Sequence, residues 1–90
     1  MSQTIVSDDA VDRCYLCKRY GRMQVHHCLH GSRRRAADAY GLTVHLCPMC
    51  HTLLHDHGVN DLYLEQTAQA AFEREHSREE WMRIFGKSYL

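Results

Sequence analysis

The chain has 90 residues, enough for one small domain whose core is marginal without an added staple. Eleven Lys and Arg balance eleven Asp and Glu, so net charge gives no global pull toward nucleic acid, and only local clusters can supply one. No run is long and apolar enough to cross a bilayer, and MSQTIVSDDAVDR lacks the apolar stretch of a secretion signal. The expectation is an intracellular protein without membrane contact, where five cysteines point to metal rather than to disulfides.

The first dozen residues are polar, without periodicity, and read as a loose lead-in. The stretch 12–58 is rich in Cys, His and Arg; the stretch 60–90 changes to helix formers. With no Pro- or Ser-rich linker between them, they read as a single domain, 1–90, with a helical extension. Met23 to Cys28 predicts a short strand. Leu42, Val44 and Leu46 alternate with Thr43 and His45, the period of a half-buried second strand. Between them, Ser32 as N-cap and Gly41 just past the end bracket one or two helical turns. Pro48 suits a first helical turn, so a helix runs from Met49 to about Asp56 and stops at Gly58. In the extension, Leu62, Leu64, Ala68, Ala71 and Phe72 mark one apolar helix face. Ser77-Arg78-Glu79-Glu80 is a capping-box pattern opening a last helix that Gly86 closes. The aromatics of this part are read as covering the core.

Cys14-x-x-Cys17 and Cys47-x-x-Cys50 each let two sulfurs approach one ion in a tight turn. Four thiolates fill a tetrahedral shell, which is the structural kind of zinc site. Cys28 is left over and reads as a small buried apolar residue. The eight histidines need another explanation. His51 and His55 are four apart and share one helix face, a spacing that presents two imidazoles to one metal. If the hairpin packs on that helix, His26 completes a three-histidine site with room for water and a phosphate oxygen. His27, its neighbour, then stands beside the ion, free to act as a base near neutral pH. His30, His57 and His76 read as solvated or capping residues, and His45 as exposed or touching phosphate. Arg33, Arg34 and Arg35 are most simply a solvated helix start, but beside a phosphodiester site they would neutralise backbone charge.

C-x-x-C, then Val-His-His, then Leu-Cys-Pro-Met-Cys-His and a further His resembles the HNH (ββα-metal) nucleases, most of all the small ones of phages and prophages. The resemblance implies an α+β fold, a zinc-stabilised, treble-clef-like ββα-metal core with C-terminal helices. It implies metal-dependent hydrolysis of DNA phosphodiester bonds in the cytoplasm of a bacterial host, with a phage or host protein as a possible partner. Residue by residue, His26, His51 and His55 match the ligands of a catalytic divalent ion (Mg²⁺, Mn²⁺, Ni²⁺ or Zn²⁺), and His27 matches the general base. His57 stays open as the last ligand. The middle Asn of the family name has no counterpart among Tyr40 to Thr43. That departure keeps a second reading alive, a non-catalytic zinc module that binds nucleic acid or a protein.

Overall fold

The computed structural model describes residues 4–90 and is α+β, with a two-stranded sheet and four helices among the described residues. Strand β1 (Gln24–His27) pairs antiparallel with β2 (Thr43–Leu46), placing His26 opposite Val44 and His27 opposite Thr43. Because side chains alternate along a strand, Gln24 and His26 share one face and His27 points to the other. Leu42, Val44 and Leu46 are fully buried, as their alternation predicts; Thr43 is buried as well. The reason lies in the N-terminal segment, which is not a loose lead-in from Thr4 onward. Ile5 N–H donates to the Gly41 carbonyl, Thr4 Oγ1 bonds the Thr43 carbonyl, and Val6 enters the core. Residues 1–3 lie outside the described residues.

A 3-10 turn, Gly31–Arg33, leads into α1 (Arg34–Ala39). Ser32 lies inside that turn and caps nothing, so the expected N-cap is corrected: His30 and Arg33 take the cap positions without side-chain caps. At the other end Gly41, at φ 72°, is the left-handed stop that was expected. Gly41 N–H donates to Asp38 O and Leu42 N–H to Ala37 O, so the chain reverses straight into β2.

Helix α2 (Pro48–His57) has Cys47 as N-cap, its sulfur accepting from Cys50 N–H, and Pro48 in its first turn. Gly58 ends it in the left-handed region. Helix α3 (Asp61–Glu73) buries Leu64, Ala68, Ala71 and Phe72, but Leu62 is 57% exposed. Two residues along a helix turn about 200°, so Leu62 cannot share the Leu64 face. Gln69 is buried instead, donating to Glu73 and Ser88 and accepting from Tyr89 N–H. Helix α4 (Arg78–Phe85) is capped by Ser77, which accepts from Glu80 N–H; the Glu80 carboxylate meets His76 instead of closing the reciprocal bond. Trp81 and Phe85 pack in a tilted pair 4.1 Å between ring centroids and meet Phe72, and Tyr40 at the end of α1 joins them. One buried cluster therefore runs from Val6 through the sheet to Phe85.

Candidate metal centres

Cys14, Cys17, Cys47 and Cys50 converge with their sulfurs within 4.8 Å of one another. Each C-x-x-C turn aims a backbone N–H at the first sulfur of its pair: Cys17 N to Cys14 Sγ at 3.5 Å and Cys50 N to Cys47 Sγ at 3.4 Å. Burial alone would raise the Cys14 thiol, but the backbone groups of Cys17, Cys47 and Leu16 outweigh it and bring the thiol down to about 6. Burial, and then hydrogen bonds from the other three sulfurs, push Cys50 up. A divalent ion such as zinc among the four sulfurs would favour their thiolate form. The donor set, the spacing and the N–H···S bonds fit a structural zinc. Cys28 lies apart from the four sulfurs, and burial drives its thiol up to about 12, so it stays protonated and packs as an apolar residue.

The second group is His26, His51 and His55, with ligand nitrogens within 4.8 Å of one another. Two features of the sequence produce it. The two-residue period of β1 puts His26 on the face toward α2, and the four-residue spacing on α2 puts His51 and His55 on the face toward β1. Gln24, two residues before His26, reaches the same helix: its Oε1 lies 2.5 Å from His51 Nδ1. With Gln24 Oε1 as acceptor, Nδ1 carries the proton and Nε2 keeps its lone pair. That lone pair faces His55 Nε2 at 3.0 Å, and His26 Nε2 is buried with no hydrogen-bond partner. A buried, unpaired imidazole nitrogen beside two converging ones is the condition a divalent ion satisfies. Burial, followed by the neighbouring His51, His30 and His55, lowers His26 to about 4, and burial lowers His51, so both are neutral and ready to ligate at neutral pH.

His57 is exposed at the end of α2 and is not among the three converging imidazoles, whereas His55 is. His27 is held from the side by α1: its Nε2 donates to Asp38 Oδ1 at 3.1 Å, and the ring is 17% exposed. A cavity of about 210 Å³ is lined by His26, His27, His30, Arg34, His51 and His55, which brings the base candidate, the ligand candidates and one arginine to one opening. Arg35 is exposed on the adjoining surface with Asp38. Arg33 is otherwise engaged, its Nε donating to the Phe85 carbonyl at 2.7 Å and tying α1 to α4.

One histidine differs from its sequence expectation. His45 is neither free nor phosphate-facing: Asp9 accepts from its backbone N–H at 2.7 Å and from Nδ1 at 2.6 Å. His30 is exposed at the cap position of the 3-10 turn, as expected, and also lies near the cluster. Its ring lies 5.6 Å from His26 and 6.4 Å from His55, and its Nε2 donates to Asp61 at 2.6 Å, yet it stands outside the three converging imidazoles. Gln24 was legible from the strand period; Asp38 and Asp61 come from distant chain and left no local signal. Comparison with family models, curated proteins and solved structures finds no match to this chain.

His51→Ala and His55→Ala are each expected to weaken a second, exchangeable ion while leaving one tightly held zinc per chain. Metal content after dialysis, with Co²⁺ titration followed by its absorption bands, measures both. Full second-ion binding in the double variant would show that the second centre lies elsewhere.

Proposed function

We propose that this chain is a metal-dependent endonuclease of the HNH kind that hydrolyses DNA phosphodiester bonds. The observation that carries the reading is one cavity holding three converging imidazoles, a fourth imidazole fixed by a carboxylate, and Arg34. A divalent ion held by His26, His51 and His55 supplies Lewis acidity to a phosphate oxygen when bound. His27 donates Nε2–H to Asp38, which leaves Nδ1 as the nitrogen with a free lone pair. His27 removes a proton from water as the water oxygen bonds to phosphorus and the bond to the 3′ oxygen breaks, the 3′ oxygen taking a proton from solvent as it leaves. Asp38 holds the ring in that tautomer, a bracing role that needs no Asn in the hairpin. Arg34 lines the same opening and offers a fork of donors to a non-bridging phosphate oxygen.

The non-catalytic alternative, a zinc module that binds nucleic acid or a protein, is favoured by the missing family Asn. Plasmid nicking separates the two. Wild-type protein with Mg²⁺, Mn²⁺, Ni²⁺ or Zn²⁺ added is expected to convert supercoiled DNA to open circle. No conversion with any of these ions would leave the binding module as the reading.

A further inference from the structure

The tip of the first C-x-x-C turn carries chemistry that the metal centres do not use. From Cys17 to Arg22 every residue is exposed, and three of the six are cations, Lys18, Arg19 and Arg22, with no acidic residue among them. In a chain of zero net charge this is a local surplus. Among the described residues none of the three sits in an ion pair. Asp12 and Asp8 stand on the segment beside it, Asp12 O accepting from Gly21 N–H and Asp8 O from Arg13, but neither carboxylate pairs with a tip cation among the described residues.

The tip is also rigid. Cys14 N–H donates to the Arg19 carbonyl, Lys18 N–H returns to Cys14 O, and a bridge joins Arg13 to Tyr20. Lys18 Nζ rests 4.8 Å over the Tyr15 ring. Tyr20 is 70% exposed on this fixed backbone, so its ring stands in water at little cost in ordering when something stacks on it. A chain of cations interleaved with an exposed aromatic is the arrangement that tracks an unpaired strand, phosphates on the cations and a base on the ring. Its place in the fold fits. Arg22 is two residues before Gln24, whose side chain meets His51, so at most about 7 Å of chain separates it from the residue that braces the histidine centre.

We infer that the tip formed by Lys18, Arg19, Tyr20 and Arg22 is a second nucleic-acid contact that holds a single-stranded DNA segment leading to the histidine cavity. The inference rests on the reading of this chain as a protein that acts on DNA. The test uses the zinc-loaded full chain and two variants: Lys18→Gln with Arg19→Gln and Arg22→Gln, and Tyr20→Ala. All four positions are exposed, and equal zinc content and circular dichroism check that the fold is kept. Binding of a fluorescent oligonucleotide is measured across a salt series without added divalent ion. The triple variant is expected to lose up to about 10²-fold in affinity at 0.1 M salt, with a shallower salt slope by about 0.7 for each single-strand phosphate contact removed. Tyr20→Ala is expected to lose about tenfold on single strands and little on duplex. Hydrolysis of bis(p-nitrophenyl) phosphate, too small to reach the tip, should be the same in all three proteins. An unchanged salt slope in the triple variant, or unchanged single-strand affinity in Tyr20→Ala, overturns the inference. A wild type that binds as expected and cuts nothing overturns the nuclease reading instead.

Discussion

Cys14→Ser and Cys50→Ser chains are expected to be unfolded or aggregated, and EDTA or a stronger chelator is expected to bring the wild type to the same state. Structural zinc in small domains contributes on the order of 10 kcal/mol, as large as the whole net stability of a typical domain. The buried cluster here is small and is itself built around the knuckles, with Cys14 and Cys47 among its members. Serine removes a thiolate and leaves a hydroxyl that binds zinc weakly, so the core cannot compensate. Circular dichroism melts with metal analysis on the same samples provide the measurement. A cooperative melt from a zinc-free Cys50→Ser protein would overturn the assignment of this centre as the staple.

His27→Ala should separate chemistry from folding. A positioned general base contributes typically about 10²–10⁴-fold to rate. The ring is partly exposed at the cavity and makes one side-chain hydrogen bond, to Asp38, so its loss should move the thermal midpoint by only a few degrees. The variant is expected to keep both metals and to lose nearly all plasmid nicking. If His27 were only a packed strand residue, the variant would lose stability, and activity would fall in proportion to the folded fraction. Wild-type nicking rates from His27→Ala would end the mechanism proposed above.

What could be read from the chain was whatever has a short period or a local cap. Alternation in Leu42–Leu46 placed β2, and Pro48 with Gly58 bracketed α2 to within a residue at each end. Ser77 capped α4 as its spacing predicts. The cysteine pairs and the His51–His55 spacing announced two clusters because a helix turn and a C-x-x-C turn fix geometry locally. Ser32 misled because the chain enters α1 through a 3-10 turn, which takes up the place a cap would hold. The partners that set the histidines in place were invisible for a different reason. Asp9 meets His45 across 36 residues and Asp61 meets His30 across 31, and tertiary pairings of that span carry no periodicity. His30 is the surface residue that was expected, but its pairing with the start of α3 could not be foreseen.

Cys50 and His51 are consecutive, yet one belongs to the thiolate group and the other to the imidazole group. Both sit in the first turns of α2, so rotating or unwinding that turn disturbs the two centres together. If zinc fills the thiolate group and a second ion the imidazole group, as proposed above, the two ions would share one helix turn, and removing the first would be expected to unseat the second.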